Sequence, residues 1–452
     1  MSGVAEVNTN YLAEMAESTV AVGYKQTEVG LIPEDWEVVP IGSLCTIFGR
    51  IGFRGYTKAD IVEQDQGVLS ISPSNILQGT LDFDHCTYIS WSKYHESPEI
   101  QIFNGDVLLV KTGSTYGKVG LVSSLEREAT LNPQVVVLKK VKCPSPLLSY
   151  VMQFELVQNQ IEETIVGGAI PTLSQKAVAN YLVPIPKKHD EQAAIANALS
   201  DVDALISVLE KLISKKQAIK TATMQQLLTG RTRLPQFSLR EDGSKKGYEP
   251  SELGEIPEDW DAVKMEELAK IQRGASPRPI DNPIWFERNS TVGWLRISDV
   301  SKTNKYLTET TQSLSELGIA NSRFVAKNNL VMSICATVGK PIITKKDLCI
   351  HDGFVVLNGL SVDQDYMYYI LKELEDEWGK QGQTGSQMNL NTELINGTHV
   401  AIPQNAAEQT AIANILSDMD KEIQALKQRL NKTKSIKQGM MQELLTGRTR
   451  LI

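Results

Sequence analysis

Apolar residues recur along 191–228 at Ile195, Leu199, Val202, Ile206, Leu209 and Ile213, in alternating steps of four and three, uninterrupted by glycine or proline. The same steps return at Ile412, Leu416, Met419, Ile423, Leu426 and Leu430. This heptad spacing predicts helices whose seam packs against another helix. Pro186 and Pro403 lie just ahead of the two spans and Gly230 and Gly447 just beyond them, positions that suit a lost donor and a left-handed cap. Asp190, Glu191 and Asp201 near the first start, and Lys215, Lys216 and Lys220 towards its end, suit the helix dipole. Each helix is then on the order of 55 Å long, more than one small domain covers. The nearest partner for either seam is its own copy. With a globular segment between them, the copies are expected to pair antiparallel about a pseudo-twofold axis, the alternative being pairing with another protomer. The seam weakens at Lys216, Lys220 and Thr223, and at Thr433 and Lys437.

Outside the helices the period changes. Short β-branched runs, VLLV at 107, QVVVL at 134 and FVVL at 354, alternate with helical stretches at 147–165 and 364–378 and with glycine-rich loops. Residues 24–186 and 248–403 are therefore each read as a compact α/β (α+β) unit, entered through an Ile-Pro-Glu-Asp-Trp strand, with Trp36 and Trp260 as packing anchors.

The two halves are copies. EQAAIANALSDVD begins at 191 and EQTAIANILSDMD at 408, and LLTGRTRL begins at 227 and 444, both 217 apart. GYKQTEVGLIPEDW at 23 matches GYEPSELGEIPEDW at 247, and TYGKVGLV at 115 faintly matches TVGKPIIT at 337. This divides the chain into a tail (1–23), a first unit (24–186), a central helical region (187–234), a linker (235–247), a second unit (248–403) and a C-terminal helical region (404–452). Alike ends with unlike middles suggest one scaffold offering two different ligand surfaces. The alike blocks keep surface-type residues, Thr229, Arg231, Thr232 and Arg233, that core packing alone would not require.

Composition narrows the class without choosing a function. A chain of 452 residues, 41% apolar and 22% charged, is neither disordered nor one core. It shows no uninterrupted apolar stretch of the ~18 residues a span needs, and no basic start, so a soluble cytoplasmic chain is expected. Cys45, Cys86, Cys143, Cys335 and Cys349 form no Cys-x-x-Cys pair, which argues against a zinc site or disulfide framework. The net charge of -8 excludes a wholly basic coat but not a local basic face.

Several loops offer that face. FGRIGFRGYTK places Arg50, Arg54, Tyr56 and Lys58 together, and VKTGSTYGK supplies Lys111, Thr112, Ser114, Tyr116 and Lys118. The second unit offers Arg273, Ser276 and Arg278 in QRGASPRP, then Arg296, Lys340, and Gln387, Asn389 and Asn391 in GSQMNLN. Arginine and lysine suit phosphates or guanine, and amides suit adenine edges. Each loop is equally compatible with a plain turn. GSTYGKV is too short for a phosphate-binding loop, and neither Asn132-Pro133-Gln134 nor Asn282-Pro283-Ile284-Trp285 is the Asn-Pro-Pro-aromatic motif of amino-methyltransferases. With no His-Glu-x-x-His, Gly-x-Ser-x-Gly or paired-carboxylate centre, the residues predict no chemistry by the chain itself.

The paired IPEDW entries, the divergent middles, EQxAIANxLSDxD and the closing LLTGRTRL together resemble the specificity (S) subunit of type I restriction-modification enzymes, from about Gly23 to Leu451. The resemblance implies two target recognition domains, each reading half of a split, asymmetric double-stranded DNA site. It implies an antiparallel coiled coil that sets the spacer and docks two methyltransferase subunits, which bring S-adenosylmethionine. Restriction subunits would add ATP-driven translocation and cleavage, and this chain would hold no cofactor, metal or catalytic residue. The first 23 residues have no counterpart before the second entry; 11–21 is compatible with a short packed helix or with no fixed structure. The alternative from a different class is a structural adaptor whose duplicated helices assemble partners.

Overall fold

The computed structural model describes residues 22–164, 172–381 and 390–451, so the 11–21 segment, Gln387 and Asn389 lie outside the described residues. The chain forms two units, one of residues up to Glu210 together with Arg429 onward, the other Lys211–Gln428.

In the first unit a four-stranded antiparallel sheet runs in the order Val119–Leu121, Val107–Val110, Val135–Lys139, Thr46–Gly49. A five-stranded sheet lies beside it, and in that sheet Ala129–Leu131 runs parallel to Gly67–Ile71. Strand alternation explains why VLLV and VVVL are apolar throughout. Leu108, Val110, Val135 and Val137 face the second sheet through Leu69, Ile71 and Leu131, whereas Val107, Leu109, Val136 and Leu138 face the helices through Leu147, Leu148 and Ile161. The expected helix over 147–165 is two, Ser145–Gln153 and Glu155–Thr164, because Phe154 turns extended (ψ 147°) to enter the core.

The second unit repeats this plan. Lys270–Arg273, Phe354–Asn358, Leu330–Ser333 and Pro341–Thr344 are neighbours in antiparallel order, and Gly293–Leu295 runs parallel to Leu348–Ile350. Val331, Phe354 and Val356 pack towards Leu295, Leu348 and Ile350, while Leu330, Met332, Val355 and Leu357 pack towards Tyr366, Tyr369 and Ile370.

The long helices are His189–Leu228 and Ala406–Leu444. By length and by one window of mean hydropathy 1.2 the first is long and apolar enough to cross a membrane, although charged residues such as Asp201, Asp203 and Glu210 break up its apolar sequence. Part of its apolar surface is committed to a core, with Ile195 and Leu199 fully buried beside Leu444 and Leu445 in the first unit, while Leu205, Val208 and Ile219 are exposed; on the second long helix Ile412 and Leu416 are placed in the second unit's core as Ile195 and Leu199 are in the first. Ile206, Leu209 and Ile423 are buried too, whereas Val202, Ile213, Met419, Leu426 and Leu430 are half-buried. In the first unit Lys437 meets Asp203 and Lys434 meets Glu210, each at 2.7 Å; in the second, Lys216 meets Glu422 at 2.7 Å and Lys220 meets Asp420 at 2.5 Å. The lysines that weaken the apolar seam are thus members of ion pairs that link segments of opposite chain direction.

Candidate nucleic-acid interface

Sheet register brings the candidate loops of each unit to one edge. In the first unit Gly49 stands opposite Val136 and Val110 opposite Val135, so loops 50–58, 111–118 and 132–134 leave from neighbouring strand ends. In the second, Arg273 stands opposite Val355 and Ser333 opposite Phe354, which gathers loops 274–279, 334–340 and 351–353. The turns themselves are repeated. Gly117 N–H donates to Val110 O at 2.9 Å and Gly339 N–H to Ser333 O at 2.8 Å, both glycines holding a φ of 82° that a side chain would strain. Val135 N–H donates to Asn132 O, and Phe354 N–H to His351 O, each at 3.0 Å.

The side chains on these edges fall into different classes. Arg50 is buried: Nε donates to Leu131 O at 3.1 Å, Nη2 to Thr130 Oγ1 at 3.2 Å, and the guanidinium lies 5.5 Å from the Tyr56 ring centre. Burial pushes its guanidinium below the usual range, with Tyr56 and nearby carboxylates countering. Its role is to tie the loop to the second sheet, which withdraws it from the set offered to a ligand. Tyr56 is half-buried, its hydroxyl accepting from Ser70 Oγ and Asn132 Nδ2, both at 3.0 Å. Arg54 is partly exposed and reaches Glu96 O at 3.2 Å and Glu99 at 3.7 Å. Lys58, Ser114 and Lys118 are exposed, and Lys111, Thr112 and Tyr116 are half-buried, Tyr116 packing against the helix-side core.

On the second edge Asp352, which no motif singles out, organises the loop. Ser276 Oγ donates to Asp352 Oδ1 at 2.8 Å, Arg273 Nε to Asp352 O at 2.7 Å, and Arg278 Nη2 lies 3.4 Å from Oδ2. The Ser276 hydrogen bond holds the Asp352 carboxyl below its ordinary value, against the opposing effect of burial. Arg273, Arg278 and Arg296 are exposed. Lys340 turns from the edge to donate to Ser301 O at 3.2 Å and lines a groove of about 1020 Å³ with Lys220, Lys302, Lys305 and Lys372; burial lowers its pKa. Asn391 caps the helix Thr392–Gly397, its Oδ1 accepting from Leu394 N–H at 2.7 Å, so its carbonyl is engaged locally.

The repeated motifs meet in a second arrangement of each unit. Arg450 forks onto Asp35 (2.9 and 2.7 Å) and Glu191 (2.5 and 2.8 Å), and lies 5.9 Å from the Trp36 ring centre. Arg233 forks likewise onto Asp259 (2.7 and 3.0 Å) and Glu408 (2.9 and 2.8 Å), 5.6 Å from Trp260. IPEDW, the EQ start of each long helix and the closing GRTR therefore form one arginine clamp per unit. Gly447 and Gly230 sit so tightly on Pro33 and Pro257 that a Cβ at either would approach within 2.4 and 2.5 Å. Both tryptophans are buried as anchors, though only Trp260 has a partner for its indole N–H, Glu408 Oε2 at 3.3 Å.

Comparison with known proteins matches this plan. The family model described as type I restriction modification DNA specificity domain matches residues 33–220 and 257–435. The chain is similar to the type I restriction enzyme MjaVIII specificity subunit of Methanocaldococcus jannaschii, 24% identical over 437 residues, which cover 93% of this chain and 94% of that one. A crystal structure of the S subunit of a type I restriction-modification system from M. genitalium superposes with TM-score 0.55 at 15% identity, covering 90% of this chain and 96% of that one. A chain from a structural study of complex assembly and conformational transition in the type I R-M system superposes with TM-score 0.53 at 16% identity, covering 92% and 99%.

Proposed function

Since the chain belongs to the type I restriction-modification DNA specificity family, we propose that each unit reads one half of a split, asymmetric DNA site through its loop edge. The chain is the specificity subunit, the non-catalytic component that recognises a DNA sequence. The observation that carries the two-reader proposal is the repeated edge: the same turns leave equivalent strand ends in both units, but Tyr56, Lys111 and Asn132 stand on one where Arg273, Ser276 and His351 stand on the other. Such a scaffold lets base-contacting side chains differ while the backbone that presents them stays the same.

In this proposal the exposed Lys58, Lys118, Arg273, Arg278 and Arg296 contact phosphates or guanine, with the half-buried Lys111 and Thr112 beneath them. The long helices form an antiparallel coiled coil that sets the spacer and docks two methyltransferase subunits, a reading supported by the cross-helix ion pairs. S-adenosylmethionine and ATP belong to the partner subunits. The domain limits 24–186 and 248–403 enclose the two readers.

The test is methylome sequencing of a host carrying this chain with its methyltransferase subunits, against the same host lacking only this chain. A bipartite adenine-methylated motif that vanishes with the chain is expected. A motif that persists without the chain would refute the proposal, and a motif of one continuous block would refute the two-reader form.

A further inference from the structure

We propose that His351 is a specificity-determining residue of the second unit, using its Nε2–H to read a hydrogen-bond acceptor on a base edge. The proposal rests on the reading of the loop edges as the DNA interface and names one contact within it.

The imidazole stands at the head of the 351–353 turn, at the strand ends that gather the second unit's candidate loops. Its Nδ1 accepts the Gly353 backbone N–H at 2.9 Å, so Nδ1 carries no proton and the neutral ring must carry its proton on Nε2. Nε2 has no protein partner among the described residues and is not among the buried unsatisfied atoms, while 21% of the side chain is open to solvent. The ring is fixed from behind, 4.6 Å from the Phe354 ring centre and 5.8 Å from that of Trp294. A donor held on a rigid ring and pointing away from its fixed acceptor is the geometry that base-edge reading needs; purine N7, guanine O6 and thymine O4 are the matching acceptors. Burial lowers the His351 pKa, more than Asp352 raises it and with help from Arg296, which keeps the ring neutral and the tautomer defined at neutral pH.

The turn is built for this ring. A Cβ at Gly353 would come within 2.4 Å of Cys335 Sγ and 2.5 Å of His351 Cε1, so glycine is what lets the backbone N–H reach the imidazole. The first unit has the same turn with a smaller head: Asn132 Oδ1 accepts Gln134 N–H at 2.9 Å, and there the third position is glutamine. One turn thus holds two different heads by the same bond. Asn132 turns its Nδ2 amide inward to donate to the Tyr56 hydroxyl, whereas the His351 Nε2–H has no protein partner among the described residues.

The first unit also supplies the test variant. His351→Asn should keep the turn, because asparagine already makes that bond at Asn132. Methylomes of hosts carrying the wild-type or His351→Asn chain with the same methyltransferase subunits should differ at one or two adjacent base pairs of one half-site, with the other half unchanged. Competition binding of the assembled complex to single-base-pair variants should show about a tenfold loss of discrimination at that position. Unchanged preference at every position overturns the proposal, as does an equal weakening on all sequences, which would mark a phosphate contact or a turn holder. If the variant fails to assemble, diethylpyrocarbonate labelling of the wild-type complex decides: protection of His351 by cognate but not scrambled DNA is expected, and equal labelling overturns it. A wild-type motif that vanishes with the chain but is indifferent to His351→Asn sinks this inference alone; a motif independent of the chain sinks the reading beneath it.

Discussion

Replacing Arg233 by alanine should destabilise the second unit more than replacing Arg450 destabilises the first. Both arginines fork onto two carboxylates, but their surroundings differ. The Arg233 side chain is 7% exposed and that of Glu408 1%, and among the described residues the one other side-chain partner of the Glu408 carboxylate is the Trp260 indole. Burial alone would lower the Arg233 pKa; Asp259 and Glu408 outweigh it and hold the guanidinium above its usual value. Without the arginine, Glu408 is a buried carboxylate with a single neutral donor, a loss of about 3–5 kcal/mol. Arg450 is 30% exposed and its partner Asp35 47%, so water replaces part of what is lost and about 1–3 kcal/mol is expected despite the buried Glu191. Calorimetry of the full chain in its complex should therefore show a transition falling by roughly 10 °C for Arg233→Ala, and by clearly less for Arg450→Ala. Adding Glu408→Gln to Arg233→Ala should recover part of the loss, because no buried charge then remains. A smaller effect at Arg233 than at Arg450, or no recovery in the double variant, would refute the buried-charge reasoning.

Acid should weaken the same clamp. Burial pushes Asp259 up, but Arg233 and Lys246 together outweigh it and hold the carboxyl at about 2 against 3.8 when free. A depressed folded-state pKa stabilises fully above the free value and is lost as pH falls from about 4 to about 2, worth about 1 kcal/mol after screening; Asp259→Asn should flatten that part of the stability-pH profile, and a parallel profile would count against it. Leu209→Asp places a charge at a position 3% exposed and should cost about 3 kcal/mol or more, read by chemical denaturation; a loss below about 1 kcal/mol would mean the helix is not packed there. Exchanging residues 24–186 for those of a relative should change one half of the methylated motif, and a change in both halves would refute independent readers.

The helices and the duplication were legible because they rest on periodicity and on identity between distant blocks, signals that summed local preferences carry well. The clamp was legible only as a puzzle. Arg233, read as a surface-type residue that core packing alone would not require, is held by Asp259 and Glu408, 26 and 175 positions away in sequence, and its repeat Arg450 by Asp35 and Glu191. The edges were legible as loops but not as sets of available side chains. Arg50 and Arg54 lie four apart in one basic, glycine-rich loop, yet the strand Ala129–Leu131 supplies a carbonyl and a hydroxyl that draw Arg50 inward. Asn391, read as an amide for adenine, is a helix cap, a use that its place ahead of Thr392–Gly397 permits but does not dictate. His351 left no motif. Aligning QVVVL at 134 with FVVL at 354 was the one available signal, since it sets Asn132 against His351.

The division between clamp and edge explains how the two halves can diverge at so little cost to the fold. Clamp residues are mutually dependent: loss of Arg233 takes the charged partner from both Asp259 and Glu408, and loss of Glu408 takes an acceptor from both Arg233 and the Trp260 indole, so they are constrained together. Edge turns share backbone bonds, from Gly117 N–H to Val110 O and from Gly339 N–H to Ser333 O, and from Val135 N–H to Asn132 O and from Phe354 N–H to His351 O, whichever side chains stand at their heads. Asparagine at 132 and histidine at 351 can therefore replace one another provided the position two residues on makes room, as Gly353 does for the ring. New specificity on this scaffold is then expected to arise by coupled changes at a turn's first and third positions, with the arginine clamp left intact.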